Sequence, residues 1–574
     1  MAKIEYIIFG GQDEREKSCS ALVIDGDIFV INCGIAVPSD VVLGIQKILP
    51  DFTWLIENKN KVKGIFVPVA TYSNYGGLEF LTKHLPNVPV YTSFLGKFII
   101  SNYFKHRTAN DAEDRNEVNF NNKLEFEVLA PLVGKKIGNT TVYAFRTASF
   151  LPNSFGLIFN TSSGGIIFLD EFIISTNKNV AFYDMIFEIN MITKYNNLLL
   201  LVSVGRNIGK LTFASPHYSV NDFYDNILTD VNDRTIVAVN DEDVYKVISL
   251  ANIASKKSLP FVIFSNTLSK VFDFMVQSKI ISLPNLLTVS DSKINEMKKG
   301  IIVITGTTQR LIAKIQKIID GEDPKVQFVD TDTFIYSNHT INGYEKMEAN
   351  MFDEINRLNV HKTIKIPNSI LSMSQCNEDH KFMLNLLKPK YVIPLAGLYM
   401  DFVTYQALSK YANVEPKNIL LIENGQMLTF ENEKLVSKNK KIKLEEQYVG
   451  TQGVLDVAAN SLFERDQMAE NGCVLVSLLI DKRAKKITHS NFNLVGVVNV
   501  NDEKNKPIID EINGFLIDYI NNLLTHMKEN ENISKENQNT FKKQIIKQYE
   551  KKFGKRPLIL LTILYNDSKQ LKKG

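Results

Sequence analysis

Residues 64–81 read GIFVPVATYSNYGGLEFL. An apolar strand, GIFVPV, runs into a polar turn, then a glycine pair, then a helical stretch, GGLEFLTKHL, before a second apolar strand, VPVYTS (residues 88–93). Strands that alternate with helices, with the strands apolar throughout, specify an α/β domain with buried sheets. The same texture surrounds this stretch. IEYIIF, SALVID and IFVINCGI are β-rich, and DGD between the last two is a hairpin turn. GIQKILPDFTWLIENKNKVK (residues 44–63) reads as helical with a proline interruption. TTVYAF, FGLIFN and GGIIFLDEF continue the strands to about Val204.

From about residue 210 the pattern changes. TIVAVN, FVIFSN, GIIVITG and FIYSN are strands separated by helices such as DEDVYKVISLANIASK, which makes a second α/β unit with a parallel sheet. KFMLNLLKPKYVIPL is a helix then a strand, NILLIENGQMLTF a hairpin, and the charged ENEKLVSKNKKI (residues 431–442) a linker. The remainder has strands GCVLVSLLID and PLILLTILY around two helices, a small α/β domain. No internal repeat is present.

The bulk numbers agree with a multi-domain globular chain. At about 100–200 residues per domain, 574 residues allow three or four domains. Apolar residues are 44% and charged residues 22% of the chain. No window reaches the roughly 18 apolar residues of a membrane helix. The start, MAKIEYIIFGG, lacks a basic region followed by an apolar core, so no secretory signal is expected. Cys19, Cys33, Cys376 and Cys473 form no CxxC pair and no disulfide framework, which points to a reducing cytoplasm. The net charge of +3 does not argue nucleic-acid binding by itself. The Lys-rich SKENQNTFKKQIIKQYEKKFGKRP (residues 534–557) reads first as a solvated helix face and second as a phosphate-binding surface.

Familiar catalytic motifs are missing. No two of the eight histidines (His84, His106, His217, His339, His361, His380, His489 and His526) lie within five residues of each other, so HxH, HExxH and HxxxH are absent. There is no GxxxxGK[ST] loop and no GxGxxG. The pairs Gly10–Gly11 and Gly76–Gly77 are turn glycines, and Ser154 in PNSFG lacks a nucleophile-elbow pattern.

The chain nevertheless resembles bacterial ribonuclease J along nearly its whole length. LGIQKILPDFTWLIENKNKVKGIFV followed by GGLEFL is similar to that family's run into and out of its metal motif. HKFMLNLLKPKYVIPLAG, NILLIENGQMLTF, VGVVNVN and KFGKRPLILLTIL are similar to later family segments. The resemblance implies a metallo-β-lactamase αββα sandwich (residues 1–208 and 368–430), an inserted β-CASP α/β domain (209–367), a linker (431–453) and a small α/β C-terminal assembly domain (454–574).

The departures from the family carry the functional reading. Family members have HxHxDH where this chain has PVATYSNYGG: Val69 and Thr71 stand for the first two histidines, Ser73 for the aspartate and Asn74 for the third histidine. Ser149, in SFLPNSFG, stands for a later histidine, and Ala396, in PLAG, for the last. The bridging aspartate falls in FLDEF, where Glu171 is taken as the match, with Asp170 adjacent. Of seven ligand positions, only Glu171 keeps a strong metal-binding group. The family's two zinc ions activate a bridging water and clamp the phosphate, so no metal and no catalytic residue are expected here.

The RNA-handling loops are altered too. The S-G-H-A-S-like phosphate loop reads SMSQC, with Ser372, Ser374 and Gln375 as the candidate RNA contacts. The T-G-S-Q-G-E-like loop reads ITGTTQRL, where Thr307 and Thr308 keep hydroxyls and Arg310 replaces an acid. Hydroxyls and backbone amides can still hold a phosphate.

Some bacteria carry two ribonuclease J paralogues that assemble, one of them weak or inactive. The resemblance therefore implies a cytoplasmic, non-catalytic subunit for RNA decay and rRNA processing. It would bind RNA and an active paralogue, as a homo- or hetero-oligomer through the C-terminal domain. The alternatives are a weak nuclease with a rebuilt site using Glu171, Asp170 and magnesium, and a stand-alone RNA-binding protein in rRNA or mRNA maturation.

Overall fold

The computed structural model describes residues 1–38, 45–110, 124–174, 187–188, 190–191, 197–205, 207–214, 220–229, 232–340, 343–370, 373–450, 453–455, 459–528 and 531–566; for 106–110, 308, 453–455 and 459–462 it describes the backbone alone. A larger compact unit comprises Met1–Ser39 and Lys47–Gln447, and a smaller one comprises Asp40–Gln46 and Tyr448–Gly574.

The larger unit opens with β1 (Ile4–Gly10), β2 (Cys19–Ile24), β3 (Asp27–Ile31), β4 (Lys47–Leu49), β5 (Val62–Val67), β6 (Val90–Thr92) and β7 (Phe126–Val128). Next come β8 (Lys135–Ile137), β9 (Thr140–Arg146), β10 (Phe155–Thr161), β11 (Gly164–Leu169) and β12 (Leu198–Val204). A run of alternating strands and helices supplies β13 (Arg234–Asn240), β14 (Pro260–Phe264), β15 (Leu287–Thr288), β16 (Gly300–Gly306), β17 (Thr333–Tyr336) and β18 (Lys362–Lys365). The chain then returns through β19 (Tyr391–Leu395), β20 (Gln426–Glu431) and β21 (Lys434–Lys441).

All of these strands except β4 form three sheets. The first has the order β21-β20-β1-β2-β3-β5-β6-β7 and the second β19-β12-β11-β10-β9-β8. One apolar cluster fills the space between them: Phe159 meets Phe29 and Phe66 edge-on, and Tyr6 meets Phe168. The outer face of the second sheet (Phe145, Ile158, Ile167) is covered by Met383, Leu384 and Leu387 of the Asn377–Leu387 helix and by Tyr405. On the far side of the first sheet, Phe9 packs on Trp54. The result is a helix-flanked sandwich of two sheets.

The third sheet, β15-β14-β16-β13-β17-β18, is parallel at every pairing. Its inner strands β14, β16 and β13 are mostly apolar because helices cover both faces. Leu311, Ile312 and Ile315 of the Thr308–Ile319 helix and Met351 and Ile355 of the Glu345–Arg357 helix lie on one face. A buried ion pair ties its base: Arg234 donates to both carboxylate oxygens of Asp332, at 2.8 and 2.7 Å. This block is an insertion, since β12 before it pairs in parallel with β19 after it.

Two expectations are corrected. Residues 44–63 are not one helix. β4 is a strand, and only Thr53–Glu57 is α-helical, because Pro50 keeps the preceding backbone extended. The stretch taken as a linker holds β21, which pairs antiparallel with β20. The two-residue turn Asn432–Glu433 has positive φ at both positions, the geometry of a type I′ hairpin. Its lysines belong to a sheet edge, where charge discourages pairing with other chains. The hairpin therefore falls at residues 426–441, not within NILLIENGQMLTF.

After the short strands β22 (Gln447–Gly450) and β23 (Gly453–Leu455), the C-terminal unit contains β24 (Cys473–Asp481), β25 (Lys486–Val495) and β26 (Leu558–Asn566) in the order β25-β24-β26. The helices Lys506–Thr525 and Lys535–Phe553 cover one face through Ile512, Leu516, Ile520, Phe541, Ile545 and Tyr549. All four cysteines are free and buried. Among the described residues no helix is long and apolar enough to cross a membrane.

Candidate functional site

The segment after β5 is held by its backbone. Cys33 N–H donates to the Asn74 carbonyl at 2.7 Å, Gly77 N–H to the Cys33 carbonyl at 2.8 Å, and Ser18 N–H to the Ser73 carbonyl at 3.2 Å. The approach is so close that a Cβ at Gly34 would sit 1.6 Å from the Ser73 carbonyl oxygen, so only glycine fits there. This clamp fixes the positions of Val69, Thr71, Ser73 and Asn74.

At its centre is Asp170, just past the end of β11. Its Oδ2 accepts from Asn74 Nδ2 at 3.0 Å and from Asn32 Nδ2 at 3.1 Å. Asn74 Nδ2 also reaches the Val69 carbonyl at 3.0 Å, and Asn32 Nδ2 the Ser18 hydroxyl at 3.2 Å. All of these side chains are buried. The carboxylate facing the motif segment is thus Asp170, not Glu171. Neighbouring residues at a strand end point to opposite sides, and Glu171 instead accepts a hydrogen bond from the Ser374 hydroxyl.

The other candidate positions are engaged elsewhere. Thr71 and Ser73 share a hydroxyl–hydroxyl bond of 3.1 Å. Ser149 is fully buried and donates to the Leu151 carbonyl at 3.1 Å, within its own turn. Ala396 is buried with φ +52°, and its N–H donates to the Gly11 carbonyl at 2.8 Å. Val69 and Ala396 offer no donor atom on their side chains. The structure therefore brings together Asn74 and Asp170, with Val69 through its carbonyl, while Ser149, Glu171 and Ala396 bond to other partners.

A zinc pair does not fit this arrangement. Zinc takes thiolate, imidazole and carboxylate ligands, and among the described residues no three His, Cys, Asp or Glu side chains lie together as a metal-binding group. The acceptors left beside Asp170 are the neutral amide oxygens of Asn32 and Asn74, which have no partner among the described residues.

The expected RNA contacts divide. Ser372 lies outside the described residues, as does the side chain of Thr308. Ser374 and Gln375 are buried, and their polar groups are used internally. Gln375 Nε2 donates to the Val204 carbonyl at 2.8 Å, and its Oε1 accepts from Phe172 N–H at 3.1 Å. Gln375 ties the segment after β11 to the end of β12, and Ser374 bonds to Glu171, so neither side chain faces solvent. Thr307 keeps partial exposure, at the N-terminal end of the Thr308–Ile319 helix.

Residues absent from the sequence reading complete the surroundings. Asn32 lies 42 positions before Asn74, at the end of an apolar strand, and no spacing marks it. Glu242, after β13, accepts from Tyr72 N–H at 2.7 Å, and Tyr245 N–H donates to the Phe150 carbonyl at 2.9 Å. The inserted domain is therefore bonded to both the 71–75 and the 149–151 segments. Beside Glu242, burial holds the Asp241 carboxyl above the usual carboxylate range, with Arg310 opposing the shift. Burial also pushes the Lys314 amine down to about 8.

A two-sheet sandwich interrupted by a parallel α/β insertion, with a polar centre at the strand ends, defines the metallo-β-lactamase/β-CASP class. Residues 232–358 match the ribonuclease J β-CASP domain, and residues 460–566 match the ribonuclease J C-terminal domain. The chain belongs to the ribonuclease J family. It is 37% identical over 571 residues to uncharacterized protein MG423 of Mycoplasma genitalium, covering 98% of this chain and 100% of that one. It is 24% identical over 488 residues to ribonuclease J2 of Bacillus subtilis, covering 84% and 85% of the two chains. A solved protein of unknown function from Enterococcus faecalis shares the fold, with a TM-score of 0.50 at 13% identity over 75% of this chain and all of that one.

Proposed function

We propose that this chain is a non-catalytic ribonuclease-J-like subunit that works in the cytoplasm beside an active ribonuclease J paralogue in RNA decay and rRNA processing. One observation carries the reading: one oxygen of the remaining central carboxylate, Asp170 Oδ2, accepts from two neutral amides, Asn32 and Asn74. Catalysis of the family's kind needs a metal-activated water and a cationic clamp on the phosphate. Here the nucleophile, the Lewis acid and the clamp are lost together. The likeness to a protein named ribonuclease J2 supports a place beside a paralogue.

The test is capture of the tagged full chain from its native cell. A ribonuclease J chain bearing HxHxDH should co-purify, and elemental analysis of the separated subunit should find less than one zinc per chain. Capture of the tagged chain alone, or stoichiometric zinc with chelator-sensitive RNA cleavage, would overturn the proposal.

A further inference from the structure

Residues near the C-terminus carry a marked net positive charge. Residues 535–556 hold eight of the 66 basic residues but two of the 63 acidic ones, so the rest of the chain is net negative by three. The Lys535–Phe553 helix arranges that charge. Phe541, Ile545 and Tyr549, at i, i+4 and i+8, are its buried ridge. Lys543, Lys547 and Lys551 repeat the same spacing two positions on, which turns them roughly 200° around the axis, to the solvent side. All three are exposed.

The usual account of such a row is a helix face solvated by mixed charges, and three features separate this one from it. Among the described residues, Lys542, Lys543, Lys547 and Lys551 form no ion pair, while Lys552 and Arg556 are paired with Glu511 and Glu550. The helix beside it on the same sheet face, Lys506–Thr525, has Asp510, Glu511 and Asp518 against Lys506 alone, so lysine enrichment is not general to this unit. A second basic group lies toward the N-terminal end of this helix. The β24–β25 turn contains Lys482, Arg483, Lys485 and Lys486. The Lys482 amine lies 4.8 Å from the Tyr565 ring centroid, and the Tyr565 hydroxyl accepts from Ile533 N–H at 2.8 Å, just before the helix begins.

We propose that this band, from the Lys482–Lys486 turn along Lys543, Lys547 and Lys551, is a contact surface for the RNA phosphate backbone. Successive lysines on the ridge are about 6 Å apart along the helix axis, comparable to the step between neighbouring phosphates of a strand. Contacts of this kind are sequence-independent and give affinity rather than specificity. An anionic membrane is the weaker fit. Helices that lie on membranes set large apolar side chains beside their lysines, whereas the exposed side of this helix has none and its apolar ridge is in the core. The proposal rests on the RNA-handling role above and adds a surface that role did not include.

The experiment uses the full chain and its variant Lys543→Gln/Lys547→Gln/Lys551→Gln, whose altered side chains are exposed and whose melting temperature should match the parent's. Binding to a fluorescein-labelled mixed-sequence oligoribonucleotide is followed by anisotropy across a salt series. The variant should bind about tenfold or more weakly at low salt, and the slope of log K against log salt should fall by about two to three. A matched variant of exposed lysines on β21, Lys438→Gln/Lys440→Gln, should bind like the parent. Equal affinity and slope for parent and triple variant would overturn this surface while leaving the RNA role standing. A parent that binds no RNA would remove both. Binding by the parent to phosphatidylcholine–phosphatidylglycerol vesicles that the triple change abolishes, with RNA affinity intact, would assign the band to membranes and overturn it as well.

Discussion

Replacing Asn74 with alanine tests whether amides have taken over the work of metal ions at this centre. The change removes one donor from the Asp170 carboxylate (3.0 Å) and one from the Val69 carbonyl (3.0 Å), both buried. A charge-assisted bond contributes about 1.5–3 kcal/mol and a neutral one about 1 kcal/mol. The expected loss is therefore roughly 3 kcal/mol. For a cooperative block of roughly 440 residues with an unfolding entropy of about 2.1 cal/mol/K per residue, that lowers the melting temperature by about 3 °C. Urea midpoints of the full chain, read by fluorescence of the single tryptophan, Trp54, report the same unit.

Two companion measurements sharpen this. Asn74→Asp should be worse than Asn74→Ala at pH 7.5, because two carboxylates about 3 Å apart cannot both ionise. One of them would have its folded-state pKa raised above its unfolded value. That penalty is present at neutral pH and disappears as pH falls toward about 4. EDTA should leave the parent's melting temperature unchanged. If the chelator lowers it by several degrees, or if Asn74→Ala melts like the parent, the account of the site is refuted.

Rebuilding the motif as Val69→His/Thr71→His/Ser73→Asp/Asn74→His should give no chelator-sensitive 5′-exonuclease activity on monophosphorylated RNA in protein from a ribonuclease-J-free host; clear activity would mean the rest of the machinery survives. His380 is fully buried against Phe172 and Tyr405, with burial pushing its pKa down to about 3. The unfolded chain then binds the proton first, so stability falls as pH drops below about 6.5, by up to about 1.4 kcal/mol per unit. His380→Leu should abolish that slope, a relative gain of about 2 kcal/mol at pH 5 in urea midpoints, and an unchanged slope would contradict it. Asp332→Ala strands a buried guanidinium and should cost the inserted domain about 3–5 kcal/mol, whereas Arg234→Met/Asp332→Leu should cost much less; equal losses in thermal melts would count against a buried, paired charge.

The sequence disclosed most where burial is complete. TIVAVN, FVIFSN and GIIVITG are apolar at nearly every position, a pattern that a parallel sheet covered on both faces requires, and β13, β14 and β16 lie there. It disclosed least where polar composition hides a strand. The lysines of β21 read as a linker because edge strands are charged for the same reason linkers are, contact with water. At the site, the loss of histidines could be read residue by residue, but the choice between Asp170 and Glu171 could not. Which of two adjacent acids turns inward depends on the last residue of β11, and the partner that decides it, Asn32, is 138 positions away. The burial of Ser374 and Gln375 was equally hidden, since polar loop residues gave no hint that they bond to the ends of β11 and β12 from within the protein.

The replacements also make sense as one event in charge rather than several independent losses. A buried carboxylate needs opposing charge or donated hydrogens. In a dinuclear zinc centre the ions supply that charge, and several acids can share the site. Once the ions are gone, each acid that remains must find donors of its own. Ser73 stands where the motif has its aspartate, so one acid of the motif has become neutral. Asp170 stays, with donors from Asn32 and Asn74. Glu171 stays, with a donor from Ser374, where the phosphate loop has its histidine. On the proposed reading, the positions matched to the family's imidazoles carry amide and hydroxyl hydrogens, or the apolar side chains of Val69 and Ala396. On the proposed reading such a centre would hold together without metal and would resist piecemeal reversal, because each restored histidine removes a donor or a packed methyl group before any ion arrives to replace it.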